Sequence, residues 1–287
     1  MLILAAIPLG NPGDASTRLK EHIESALFVA AEDSRRFARL CQDLGISHKA
    51  KVISFFEGNE NERLDGLIEI LEAGNDLLVV TDAGMPGISD PGYRLAREAI
   101  ARGISIHVLP GPSAVTTALL LSGLPTDTFC FDGFPPRTSG ARLTWFEARN
   151  DEERTIIIFE APHRLLECLE DMKSAFGSQR RIAICREMTK TYEEVARGSI
   201  EEIIVWAGSK EILGEITIVI EGFNPALREY TDEALVARVI LRESAGESRK
   251  EAIAAVAKET GVGKRVVFDA MVHNKSSIAP ENKSQKE

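Results

Sequence analysis

Four loops rich in glycine and proline hold the residues best suited to chemistry: IPLGNPGD (7–14), TDAGMPGISDPG (81–92), LPGPSAV (109–115) and DGFPPR (132–137). Each follows an apolar run. Glycine lets backbone approach a ligand closely and proline fixes the loop's shape, so amides and carbonyls can do the reading. One such loop is commonly a plain strand–helix turn. Four at equivalent places point to a ligand crevice at the carboxyl ends of strands. GxGxxG and GxxxxGK[ST] are absent, and so is GxSxG. That argues against a dinucleotide site, a P-loop and a serine hydrolase elbow. His22, His48, His107, His163 and His273 are scattered, with neither HxxxH nor HExxH, and no metal site is expected.

The elements that must carry these loops follow from the apolar pattern. LILAAI (2–7), ALFVA (26–30), KVISFF (51–56), LLVV (77–80) and SIHVL (105–109) read as strands. TRLKEHIES (17–25), RRFARLCQDLG (35–45), NERLDGLIEILEAG (61–74) and YRLAREAIARG (93–103) have helical spacing, and the last three close on glycine. Continuous rather than alternating apolar strands predict an α/β domain over 1–111 with a largely parallel sheet. PGPSAVTTALLLSG (110–123) reads as a turn and a buried helix. TFCFDGF (128–134), TIIIFEA (155–161), RIAICRE (181–187) and GEITIVIEGF (214–223) are strand-like, HRLLECLEDMKSAFG (163–177) is helical, and VARGSIEEIIVWAGS (195–209) reads as a turn and a short helix. These make a second α/β domain over 112–223. NPALREYTDEAL (224–235) reads as a linker into a small domain over 224–275. There RKEAIAAVAKETGVGKRVVFDAMVH (249–273) predicts helix, glycine turn, helix. The polar residues 276–287 predict a disordered tail.

The 287 residues suffice for about two domains. A net charge of −10 argues against a binder that coats nucleic acid with its whole surface, and leaves room for a local basic patch. Cys41, Cys130, Cys168 and Cys185 form no close pair, as expected of reduced thiols in a cytoplasmic protein. MLILAAIPLG is too short for a membrane span and lacks the basic start of a signal peptide.

The four loops, together with AEDSRRF (31–37), FEAPHRL (159–165), REMTKTYEEVARGS (186–199) and GEITIVIEG (214–222), resemble one family along nearly the whole chain. They look like the S-adenosylmethionine (SAM) methyltransferases of the tetrapyrrole methylase fold. Within it they resemble the branch that methylates the ribose 2′-hydroxyl of a cytidine, conventionally numbered 1402, in 16S ribosomal RNA. The resemblance implies two α/β domains with SAM in the cleft between them, a small helical C-terminal domain, a homodimer, and 16S rRNA within the 30S subunit as partner. By motif it implies Pro8 and Leu9, then Asp82, Gly84 and Met85, then Ser113 and Ala114 at the cofactor. Phe134 and Pro135 would wall the cleft and Glu215 with Ile216 would close it. Met85 departs from the threonine or similar small residue expected there. The alternative within the same fold is a precorrin-type tetrapyrrole methyltransferase, which needs neither AEDSRR nor the extra tail. A module that binds SAM without turnover is a third reading.

Methyl transfer to a hydroxyl needs in-line alignment and a proton acceptor. Glu187 and Lys190 in REMTK, Glu160 and His163 in FEAPH and Asp33 in AEDSRR are the candidates, with Glu187, Lys190 and Asp33 favoured as catalytic. Equally, Glu187–Lys190 could be an ion pair and Asp33 an orienter of Arg35. RNA phosphates require basic groups. Arg35, Arg36, Arg137, Arg186, Lys264 and Arg265 are the expected contacts, with Arg39, Arg142, Arg164 and Lys190 also near strand ends. Residues 242–275 hold seven basic and five acidic side chains, a positive balance in an acidic chain.

Overall fold

The computed structural model describes residues 1–225 and 231–277. Linker residues 226–230 and the polar tail from 278 onward lie outside the described residues, and with them the prediction of a disordered terminus.

The first five apolar runs form β1 (Leu2–Ala5), β2 (Phe28–Ala31), β3 (Lys51–Ser54), β4 (Leu77–Val80) and β5 (Ile106–Leu109). They pair in parallel in the order β3-β2-β4-β1-β5. Successive side chains of a strand point to opposite faces, so these runs feed two cores. Leu2, Ala30, Leu77 and Val79 pack with Leu67, Ile68 and Leu71 of α3 (Glu60–Glu72) and Leu95 of α4 (Tyr93–Ala101). Ile3, Val29, Leu78 and Val80 pack with Leu19 and Ile23 of α1 (Thr17–Ser25) and Phe37 of α2 (Ser34–Leu44). Helices on both faces explain why LLVV is apolar throughout.

The second sheet joins β6 (Phe129–Phe131), β7 (Thr155–Glu160), β8 (Arg181–Arg186), β9 (Glu194–Ser199) and β10 (Ile216–Ile220) in the order β6-β7-β10-β8-β9. Only β6–β7 is parallel. α5 (Ala114–Ser122) covers one face through Ala118 and Leu119. α6 (Ser139–Glu147), α7 (Leu165–Phe176) and α8 (Ile200–Gly208) cover the other. Two elements here differ from the sequence expectation. Residues 195–199, read as a turn, belong to strand β9. EVARGS has no apolar alternation, but it pairs residue for residue with β8, from Arg181↔Ser199 to Arg186↔Glu194. An edge strand of this kind takes its conformation from its partner more than from its own propensity. α6 is the second, in a stretch where the sequence pattern predicts no element; it docks on α7 through Phe146 and the buried Arg142.

By its internal contacts the chain divides into two compact units, Met1–Glu221 and Gly222–Glu287. The second is helical: α9 (Asp232–Ser244), α10 (Arg249–Thr260) and α11 (Lys264–Ser277). Leu235, Val239, Val256 and Val267 close a core of its own. The end of the expected linker is helix α9, started by Thr231, whose hydroxyl accepts from Ala234 N. Among the described residues, no helix is long and apolar enough to cross a membrane.

Candidate active site

The loops after β1, β2, β4 and β5, and the ends of β7, β8 and β10, line one cleft of about 420 Å3. That lies in the range of small-molecule sites, roughly 300–1,000 Å3. The position follows from topology, since carboxyl ends of parallel strands leave an open crevice.

The first two loops are stitched together. Ile7 N donates to Gly84 O at 2.9 Å and Gly84 N to Ile7 O at 3.2 Å. Gly84 has φ +72°, and a Cβ there would stand 3.4 Å from Leu9 Cδ2. Leu9, Asp82, Gly84 and Met85 line the cleft as expected; Pro8 is buried and does not. Further along the second loop, Ile88, Ser89 and Asp90 also reach the cleft. Ser89 has φ +62°, a left-handed conformation uncommon outside glycine and costly for serine.

Ser113 and Ala114 line the cleft at the start of α5. Ser113 occupies the cap position without spending its hydroxyl on the helix. Phe134 lines the opposite wall and meets Phe159 edge-on at 5.6 Å, while Pro135, expected beside it, is buried and does not line the cleft. Glu215 and Ile216 line the end of β10.

The REMTK segment forms a brace beside this wall. Glu187 (φ +49°) and Thr189 (φ +65°) both have strained backbones. Glu187 Oε1 accepts from Glu215 N at 2.8 Å and from Lys190 Nζ at 2.9 Å, and Lys190 Nζ also lies 3.0 Å from Glu215 Oε2. Burial opposes ionisation of Glu187, but the Glu215 amide and the Lys190 ammonium outweigh it and hold the carboxyl below its usual range. Burial likewise opposes the Lys190 charge, and Glu187 and Glu215 outweigh it. The brace also grips the first loop: Asn11 N donates to Thr189 Oγ1 at 3.1 Å, and Gly10 lies so close to the Lys190 stem that a Cβ would fall 2.2 Å from its Cγ.

Asp33 stands apart from that brace. It caps α2, accepting from Arg35 N at 2.7 Å, and pairs with the Arg35 guanidinium at 2.8 Å. The Arg35 side chain holds its carboxyl well below the usual range. Asp33 lines a second, shallower concavity with Ser34, Arg35, Ser54 and Phe56. Glu32 and Asp82 belong to both hollows, so the two are continuous. Glu160 lines the cleft with its side chain buried against Arg164, while His163 is exposed and points to neither hollow.

Of the basic candidates, Arg36 lines the cleft and pairs with Asp82 at 3.3 Å. Arg35, Arg137, Lys264 and Arg265 are exposed. Arg186 is mostly buried, held by Glu194 and Leu213 O. Arg142 and Arg164 are no use to a phosphate: the first is fully buried on Asp171 and the second is committed to Glu160. Sequence reading missed Glu32 and Asp90. Both sit inside motifs singled out above, AEDSRRF and TDAGMPGISDPG, where neither residue type nor spacing marks them.

The profile of the Tetrapyrrole (Corrin/Porphyrin) Methylases matches residues 1–204. The chain belongs to the tetrapyrrole methylase family. It is 45% identical to the Ribosomal RNA small subunit methyltransferase I of Mycobacterium tuberculosis over 275 residues, covering 96% of this chain and 95% of that one. With the protein of the same name from Halalkalibacterium halodurans it shares 40% over 272 residues, 93% of each. The crystal structure of diphthine synthase shares the fold at a TM-score of 0.57 and 17% identity, covering 77% of this chain and 90% of that one.

The methyl donor of a tetrapyrrole methylase is SAM, and this cleft fits it. SAM carries a flat adenine, ribose hydroxyls, an ammonium and a sulfonium. Leu9, Phe134 and Ile216 offer apolar walls, and Glu32, Asp82 and Glu215 supply negative charge for the two cationic centres. The unspent Ser113 hydroxyl offers polar reading, and Gly84 puts no side chain in the way.

Proposed function

We propose that this protein is a SAM-dependent methyltransferase that modifies the ribose 2′-hydroxyl of a cytidine, at the position numbered 1402, in 16S rRNA of the small ribosomal subunit. The observation that carries this reading is the 45% identity, end to end, with a protein named for small-subunit ribosomal RNA methylation. The 2′-oxygen, the cytidine, the 30S context and the homodimer rest on the resemblance carried by AEDSRR, DAGMPGISDPG and REMTK, and the cytoplasmic setting on the four cysteines without a close pair.

When bound, SAM supplies a methyl group already activated on sulfur. What remains for the protein is to hold, align and deprotonate. Leu9, Met85, Ser113, Ala114, Phe134 and Ile216 hold the donor, with Asp82 on its polar groups. The Lys190 brace fixes Glu215 and the start of β10, so Glu187 and Lys190 position the wall; Asp33 positions Arg35. Each of the three is already committed to a partner, which suits support better than proton transfer. The second concavity offers the exposed ring of Phe56 and the exposed Arg35 beside the cleft. A stacked base and a phosphate are what such a pair takes from a single-stranded nucleotide. Arg137 in the first unit and, separately, Lys264 and Arg265 in the second add phosphate contacts, and local basic groups of this kind suit a chain of net charge −10.

The test is methyl transfer from labelled SAM to 30S subunits and to naked 16S rRNA lacking the modification, with nucleoside mass spectrometry of the product. 2′-O-methylcytidine is the expected product. SAM binding with no methylated nucleoside would refute the assignment.

A further inference from the structure

Five carboxylates line the cleft, and four are spoken for. Glu32 accepts from Asp82 N at 3.0 Å. Asp82 accepts from Asp33 N and pairs with Arg36. Glu160 is bound by Arg164, and Glu215 by Lys190. Asp90 alone has neither a hydrogen bond nor an ion pair among the described residues, yet it is half-buried and lines the cleft. Its placement is forced. The strained Ser89 precedes it, and the loop is pinned on either side by Gly87 N donating to Pro91 O at 3.1 Å and Gly92 N to Glu60 Oε1 at 3.1 Å. Ser89 also brings the loop across to the other sheet, with Oγ 3.5 Å from where a Cβ on Gly133 would stand. Backbone strain held in place by its surroundings clusters at functional sites.

We infer that Asp90 is the proton acceptor for the ribose 2′-hydroxyl. The inference rests on the reading of the cleft as a site of methyl transfer to ribose. A base needs a free carboxylate at the reacting hydroxyl: each of the other four already holds a donor or a cation that stabilises its charge, and the one oxygen that Glu160 leaves without a partner, Oε2, is fully buried, whereas Asp90 carries no such partner. In the balanced step, the 2′-oxygen forms a bond to the methyl carbon and its proton passes to an Asp90 carboxylate oxygen. The carbon–sulfur bond breaks with its electron pair left on sulfur, giving the methyl ether and S-adenosylhomocysteine. Asp90 then returns its proton to water through the open side of the cleft.

The surroundings suit that work. Burial, then the charges of Glu32 after β2, Asp82 after β4 and Glu215 before β10, push the Asp90 carboxyl up to about 7. The neighbouring cations are taken: Arg36 by Asp82, Lys190 by Glu187 and Glu215. A base is most effective when its pKa lies near the working pH.

The test compares the full chain with Asp90→Asn and Asp90→Glu. Turnover is measured on 30S subunits or 16S rRNA lacking the modification, S-adenosylhomocysteine affinity by calorimetry, and thermal midpoint against pH without RNA. The expected result is a turnover about 100-fold or more lower in Asp90→Asn, with S-adenosylhomocysteine still bound. The acid limb of the pH–rate profile should be lost in that variant and kept, at reduced rate, in Asp90→Glu. Wild-type turnover in Asp90→Asn, or loss of S-adenosylhomocysteine binding in it, would overturn the role of Asp90 and leave the methyltransferase reading standing. A wild-type chain that binds S-adenosylhomocysteine but methylates no RNA would overturn both.

Discussion

Lys190 stands between Glu187 and Glu215, its ammonium 2.9 Å from a carboxylate oxygen of one and 3.0 Å from the other. One cation thereby ties the loop after β8 to the strand that closes the cleft, and its stem packs on Gly10 of the loop after β1.

Lys190→Ala frees two carboxylates that face each other. Charge-assisted contacts contribute about 1.5–3 kcal/mol when buried, and this group is partly solvated. S-adenosylhomocysteine affinity is expected to fall about tenfold, or about 1.4 kcal/mol, by calorimetry. Unchanged affinity would mean the brace does not shape the cleft.

Gly214→Ala and Gly66→Ala make an opposed pair. Gly214 has φ +88°, and a Cβ would lie 2.4 Å from the Glu187 carboxylate, so the variant should lower the thermal midpoint and cofactor affinity together. Gly66 lies in α3, exposed, with nothing within 4 Å of a new Cβ. There alanine should stabilise the chain by about 0.5–1 kcal/mol in denaturant unfolding.

Arg142→Ala should cost about 3–5 kcal/mol, the scale for breaking a buried ion pair. The guanidinium is fully buried, with Nε 2.7 Å from Asp171 Oδ2. Removing it leaves Asp171 without its cation at the α6–α7 contact. Chemical denaturation reads the loss; a change below about 1 kcal/mol would show that the site relaxes.

The stability of the protein without ligand carries a signature of Asp90. A carboxyl raised from 3.8 to about 7 keeps its proton in the folded state while the unfolded chain releases it. Between about pH 4 and 7 the folded state therefore holds more protons, and this contribution to stability declines as pH rises. Asp90→Asn should remove that decline, so the variant gains thermal midpoint over wild type above pH 7 and loses the gain near pH 4. Parallel curves across that range would contradict a raised Asp90.

Lys264→Glu with Arg265→Glu, at the exposed start of α11, should weaken binding to 16S rRNA and flatten its salt dependence. Each lost phosphate contact lowers the slope of log K against log salt by about 1. S-adenosylhomocysteine binding should not change. An unaltered slope would place the RNA elsewhere.

What could be read from residues alone was whatever local chemistry decides. LLVV between helical runs meant a strand covered on both faces, and it is buried throughout. Leu9, Asp82, Gly84, Met85, Ser113, Ala114, Phe134, Glu215 and Ile216 were named from loop composition and family motif, and all line the cleft. What escaped depends on partners far along the chain. β9 exists because β8 offers it a ladder. Arg142 looked like a surface cation until α7 closed over it. Asp90 is not legible as special in TDAGMPGISDPG, because being unpaired is a property of the folded neighbourhood and leaves no mark on spacing.

The helical unit from Gly222 onward has its own apolar centre, and the family match ends at residue 204, before that unit begins. Mutational damage is therefore compartmentalised. A substitution that melts Val239 or Val256 should unfold the helical unit while both sheets and their crevice keep their stability, since each unit closes an apolar core of its own. The tail can in that way change its sequence without disturbing the loops that grip the donor.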